Sequence, residues 1–259
     1  MIDTHCHLTH KRFAGEADAV VARARDAGLR ACLTIGTGVE DARRGAEIRA
    51  RHPDFVACAA GIDPFTAHAK GPAFDDELMG LRWLLEAGGF VALGEFGLDY
   101  HYDLDSRPVQ SERFSRQLDL ASELKLPVVI HVRDAHEDAA GILASHPGTR
   151  GVIHSFTGGP REAKRYLDLG LHLGFNGIVT FPSASDVREA ARLAPADRIL
   201  LETDSPYLAP VPVRGRRCEP AHVVHTLGKL AEVRGETPEA LAAATTANAA
   251  ALFGIAVSH

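Results

Sequence analysis

Val128-Val129-Ile130-His131 is a run of three β-branched apolar residues that ends on an imidazole. Such a run reads as a strand buried on both faces, as in a parallel sheet covered by helices. Outward in both directions the same cadence repeats. Short apolar runs occur at Ile2–Thr4, Ala31–Ile35, Phe55–Ala59, Val91–Leu93, Val152–Ile153, Leu171–Phe175 and Ile199–Leu201. Segments of helical period lie between them: Ala17, Val20, Val21 and Ala24 share one face, as do Phe114, Leu118 and Ala121. Gly28, Gly88 and Gly170 fall where helices should end before the next strand. Eight strands alternating with helices predict an α/β fold, the (β/α)8 or TIM barrel; an open doubly wound sheet also fits the alternation. No repeat or linker divides the chain, so residues 1–259 are expected to form one domain.

With 46% apolar and 24% charged residues, the composition is that of a folded chain and argues against disorder. No apolar run approaches the roughly 18 residues of a membrane helix. Met1-Ile2-Asp3-Thr4-His5 lacks a basic stretch followed by an apolar one, so the expected location is the cytoplasm. The expectation is a monomer with no membrane association and no evident protein partner. A net charge of −6 excludes nucleic-acid binding through bulk positive charge, though not through a local site. Cys6, Cys32, Cys58 and Cys218 form no CxxC pair and read as small buried hydrophobes. Histidine is enriched, at 14 of 259 residues.

Barrel enzymes place their chemistry at the carboxyl ends of strands. His5 and His7 close the first run; Glu95, His131, His154 and Asp204 follow the fourth, fifth, sixth and eighth. The gaps of 88, 36, 23 and 50 positions from His7 onward match three, one, one and two βα units. A lone His-x-His is a weak signal, and any one of these residues alone is more often a satisfied polar group. Six of them at strand ends point to a metal site. A period of 2 puts His5 and His7 on one face and Cys6 on the other. Four imidazoles and two carboxylates exceed the needs of one tetrahedral ion, so two divalent ions are expected, Zn, Mn or Mg. The nitrogen-rich set favours Zn or Mn over Mg. Such a pair makes the pocket locally positive and attractive to phosphate.

These residues and their surroundings resemble the TatD family of metal-dependent deoxyribonucleases, within the amidohydrolase-like hydrolases. The likeness runs nearly end to end. It covers Asp3-Thr4-His5-Cys6-His7-Leu8, Gly94-Glu95-Phe96-Gly97-Leu98-Asp99-Tyr100 and Leu126-Pro127-Val128-Val129-Ile130-His131-Val132-Arg133. It continues through His154-Ser155-Phe156-Thr157-Gly158, Glu202-Thr203-Asp204-Ser205-Pro206-Tyr207-Leu208 and Asn248-Ala249-Ala250-Ala251-Leu252-Phe253-Gly254. The resemblance implies hydrolysis of DNA phosphodiesters by activated water, typically as a 3′–5′ exonuclease favouring single strands. It implies one ion held by His5, His7, Glu95 and Asp204, and a second held by Glu95, His131 and His154, with Glu95 bridging. Two positions depart from the family's pattern. Its usual Gly-x-His-Pro reads Gly61-Ile62-Asp63-Pro64, and its usual His-Cys-Phe reads His154-Ser155-Phe156.

Asp204 is the expected general base, alongside Glu95 in the catalytic centre; a purely ligating Asp204 is the competing role. Arg133, two residues past His131, faces the mouth and suits either a phosphate or a loop carboxylate. Arg214, Arg216 and Arg217 form the densest basic cluster, in the loop after the last strand, and are expected to contact a DNA backbone. Thr157-Gly158-Gly159-Pro160 opens a helix and reads as an anion cradle or a plain turn. Phe65, Tyr100, Phe156 and Tyr207 follow strand ends and either stack bases or pack. The alternative function is an amidohydrolase acting on a small amide, ester or lactone. A carboxylate at Glu95, where that wider group typically carries a modified lysine, argues against it.

Overall fold

Eight parallel strands pair in the order of the chain: β1 (Ile2–Cys6), β2 (Ala31–Gly36), β3 (Val56–Ala60), β4 (Ala92–Asp99), β5 (Val128–Arg133), β6 (Gly151–Ile153), β7 (His172–Phe175) and β8 (Ile199–Leu201). The computed structural model describes residues 1–102 and 104–256. Beyond β8 the chain returns to β1. Cys6 bridges Ser205, the His7 N–H donates to the Ser205 carbonyl at 2.8 Å, and the Thr4 hydroxyl donates to the Leu201 carbonyl at 3.0 Å. The sheet therefore curls into a nearly closed barrel, and the open doubly wound alternative falls.

Strand alternation sorts the apolar side chains into two cores. Ile2, Leu33, Ile35, Ala59, Val129, Val152 and Leu200 cluster with Ala249, Leu252 and Phe253 of the last helix, Pro238–Phe253. That helix is defined at both ends: Thr237 accepts the Ala240 N–H at its start, and Gly254 (φ 65°) ends it. The opposite set, including Cys32, Val56, Cys58, Val128 and Ile130, packs against the helix faces read from Val20, Val21, Ala24, Phe114, Leu118 and Ala121. All four cysteines are free and buried, as their isolation in the sequence suggested. Among the described residues no helix is long and apolar enough to cross a membrane.

Two strands carry irregularities that bear on the site. Between β1 and β2, Asp3 pairs with Cys32 but Cys6 pairs with Thr34, leaving one extra residue in β1. Between β4 and β5, Gly94 pairs with Val129 and Phe96 with Ile130, so Glu95 is itself the extra residue. Bulges of this kind re-aim a side chain while the strand continues. Gly94 (φ 150°) and Gly97 (φ 151°) allow it, because a β-carbon on either would collide with the β5 backbone.

β4 and β5 run further than their apolar stretches indicate. β4 reaches Asp99 rather than ending at Leu93, and β5 reaches Arg133, so Glu95 and His131 lie within strands instead of after them. The added stretches alternate, with Phe96, Leu98 and Val132 in the core and Glu95 and His131 in the ligand cluster.

Candidate metal centre

All six metal-type residues expected from the sequence meet at the carboxyl-end mouth of the barrel. His5 and His7 leave β1 on one side, with their Nε2 atoms 3.3 Å apart, while the Cys6 thiol points away and donates to the Leu33 carbonyl. Glu95 is centred among them: its Oε2 lies 3.0 Å from His5 Nε2 and 3.1 Å from His154 Nε2. His131 Nδ1 lies 3.1 Å from His154 Nε2. Asp204 Oδ1 is 3.4 Å from His7 Nε2 and 3.8 Å from His5 Nε2. Asp204 adopts φ 58°, a left-handed conformation that Asp tolerates better than most residues, and its N–H donates to the His5 carbonyl at 2.8 Å.

Two ligand sets emerge around the shared carboxylate. The donor atoms of His5, His7 and Glu95 lie within 4.8 Å of one another, as do those of Glu95, His131 and His154. Glu95 Oε2 is buried without a hydrogen-bond donor. A cation among them would satisfy this oxygen together with the ring nitrogens that face each other at 3.1–3.3 Å. Nitrogen and carboxylate donors in two sets of three fit divalent ions of the Zn or Mn type.

The protein's own charges follow the same logic. Burial alone would push His7 down, but Asp204 and Glu95 prevail and lift it to about 9. His131 is raised in the same way, against burial, by Asp99 and Glu95. Burial favours a neutral Glu95, yet His154 and His5 hold it well below the usual carboxylate range. Burial and the neighbouring His5 keep His154 well below the ordinary imidazole value. A dication held by these residues would take over the role of the His7 and His131 protons.

Three buried acids complete the centre, and the sequence reading passed over their roles. Asp3 accepts the Thr203 hydroxyl at 2.6 Å, the Thr203 N–H at 2.9 Å and the His5 N–H at 3.2 Å, tying β1 to the segment that carries Asp204. Burial, opposed by the Thr203 bond, pushes it up to about 7. Asp99 Oδ2 sits 3.1 Å from His131 Nε2, while its Oδ1 accepts the His101 and Tyr102 N–H groups. Glu202, fully buried, accepts the Ser155 N–H at 2.5 Å. The only signal was positional: each lies within a histidine- or aspartate-bearing motif, two to four residues from a ligand-type residue.

The expected substrate contacts divide. Arg133 lies over the Tyr102 ring at 5.0 Å, and Phe65 meets Tyr102 at 5.2 Å, both aromatics nearly half exposed. Arg214 lies over Phe181 at 4.2 Å; Arg214 and Arg216 are exposed. Arg217 departs from the expectation of a DNA contact: it bonds Glu16, Glu219 and the Arg12 carbonyl, which pins the loop to the body of the protein. Phe156 is buried and packs against Phe175, so it offers no face to a base; Tyr207 is nearly half exposed beside His7. The Gly159 N–H goes to Glu162 of its own helix, which makes that segment a capped turn. Asp63 caps helix Pro64–Lys70 through the Thr66 N–H, and burial with nearby Glu95 pushes it up to about 6.

A parallel barrel with such a cluster at its mouth defines a metal-dependent hydrolase of the TIM-barrel type. The family model described as TatD related DNase matches residues 2–254, and the chain belongs to that family. It is 38% identical over 264 residues to the uncharacterized metal-dependent hydrolase YcfH of Escherichia coli K12, covering 100% of this chain and 97% of that protein. Over 262 residues it is 37% identical to the 3′–5′ ssDNA/RNA exonuclease TatD of Erwinia billingiae, covering 98% of each. The crystal structure of YJJV, a TatD homolog from Escherichia coli K12, superposes with a TM-score of 0.92 at 31% identity, over 99% of this chain and 98% of that one.

Proposed function

We propose that the protein is a two-metal exonuclease that shortens single-stranded DNA from its 3′ end. The observation that carries this is Glu95 Oε2, 3.0 Å from His5 Nε2 and 3.1 Å from His154 Nε2, so that one carboxylate faces a histidine of each ligand set. His5, His7, Glu95 and Asp204 would hold one ion; Glu95, His131 and His154 the other. When bound, the ions supply Lewis acidity toward phosphate oxygens and lower the pKa of water. Asp204, partly exposed at the mouth, accepts the proton of the attacking water. Arg133, Arg214 and Arg216 orient the phosphate chain, and Phe65, Tyr102 and Tyr207 offer faces to unpaired bases.

The relative named a ssDNA/RNA exonuclease supports this substrate class over a small amide or lactone. Incubating the protein with Mn²⁺ or Zn²⁺ tests it, using 3′-labelled single-stranded DNA, RNA and an amide panel, with His131→Ala as control. Release of the 3′ label as a mononucleotide, dependent on metal and on His131, is the expected result. Cleavage confined to the amide panel would transfer the protein to the alternative chemistry.

A further inference from the structure

Glu202 is a fully buried carboxylate of the centre that neither ligand set uses. Its side chain lies against the α-carbon of Gly174 in β7, where a β-carbon would overlap the carboxyl group. One oxygen, Oε1, takes the Ser155 N–H; the other, Oε2, is buried with no hydrogen-bond partner. On the near side stand His5 and His154, whose rings stack with centroids 3.9 Å apart and planes 11° from parallel. Both rings turn Nε2 toward Glu95 Oε2. Their Nδ1 atoms are also buried and also unpartnered. His154 Nδ1 is 3.9 Å from Glu202 Oε1, and a ring nitrogen of His5, one of His154 and a Glu202 oxygen lie within 4.8 Å of one another.

A neutral imidazole carries one proton, so a ring that gives Nε2 to a cation carries it on Nδ1 and needs an acceptor there. Two such donors and one lone carboxylate oxygen share this closed space. We propose that Glu202 is the positioning residue of the metal centre: its carboxylate stands behind His5 and His154 together and fixes both rings as Nδ1–H tautomers. The proposal rests on the two-ion reading above. At 3.9 Å the two atoms stand just short of a formed hydrogen bond. One acid thus stands behind a histidine from each ligand set. Carboxylates behind ligating histidines typically change metal affinity 10- to 100-fold.

Co²⁺ titration of metal-stripped protein, followed by visible absorption, tests this on wild type, Glu202→Gln and Glu202→Asp. Melting of the metal-free forms is measured alongside. Glu202→Gln keeps the shape and an acceptor for Ser155 but replaces the second carboxyl oxygen with an amide group that cannot accept a hydrogen bond. It should weaken Co²⁺ binding by about 10- to 100-fold and alter the absorption bands, with the metal-free melting temperature little changed. Glu202→Asp, which retains both carboxyl oxygens one methylene further back, should recover part of the affinity. Wild-type affinity and spectrum in Glu202→Gln would overturn the proposal. Loss of one whole ion from the stoichiometry would also do so, by making Glu202 a direct ligand. Should the Gln variant not fold, unchanged affinity in the Asp variant overturns it equally. A wild-type protein that takes up no Co²⁺ would instead bring down the two-ion reading itself.

Discussion

Asp99 Oδ2 lies 3.1 Å from His131 Nε2, so the ring offers its other nitrogen, Nδ1, to the cluster formed with His154 and Glu95. Asp99 is fully buried, and backbone N–H groups of His101 and Tyr102 fix its second oxygen. Asp99→Asn is expected to weaken binding of the ion held by Glu95, His131 and His154 by about 10- to 100-fold, with turnover falling in parallel. Metal titration monitored by calorimetry checks this; an unaltered affinity would remove Asp99 from the centre.

Asp204→Asn retains an oxygen near His7 but cannot take a proton. Divalent ions should still bind, less tightly, while turnover falls by about 10²- to 10⁴-fold. Rates measured at saturating metal separate the two effects. Activity near that of the unaltered protein would leave Asp204 as a ligand only.

Gly97→Ala tests the close approach of β4 to β5. Its β-carbon would enter the space of the His131 carbonyl oxygen, at a φ that L-residues rarely adopt. A loss of about 3 kcal/mol or more is expected in urea unfolding, with the metal centre displaced.

The arginines of the loop after β8 should separate by function. Arg214→Ala and Arg216→Ala, at exposed positions, should raise KM for single-stranded DNA with little effect on melting. Arg217→Ala should lower stability by about 1–2 kcal/mol, because it leaves Glu219 without one of its two arginine partners. KM and melting temperature measured on the three variants decide the assignment.

His136 gives a pH signature away from the centre. Burial against Tyr166, whose hydroxyl is 3.0 Å from Nδ1, lowers its pKa in the folded state. The unfolded chain therefore takes up a proton near the ordinary value of about 6.5 while the folded one does not. Its contribution is intact above that pH and is lost as pH falls toward the folded value. His136→Gln should flatten the decline of melting temperature between about pH 6.5 and 5 relative to the unaltered protein.

The strand cadence was legible from residues such as Val128–Ile130 and Val152–Ile153 because burial on both faces demands continuous apolar runs. His5, His7, His131 and His154 were legible because ligand-type residues recurred at the ends of those runs. Asp3, Asp99 and Glu202 were not, since a buried acid and a surface acid look alike in a sequence until their partners are known. Arg217 misled for the same reason: its partners Glu16 and Arg12 are about 200 positions away.

The order of amino acids, by itself, determined the alternation of strand and helix and the side chains able to bind a cation, since both are set by local residue chemistry. Only the closed barrel decided that Glu95 faces histidines from both sets. Bulges in β1 and β4 and the return of β8 to β1 aim those side chains, and they follow from pairing between distant strands that no local stretch encodes.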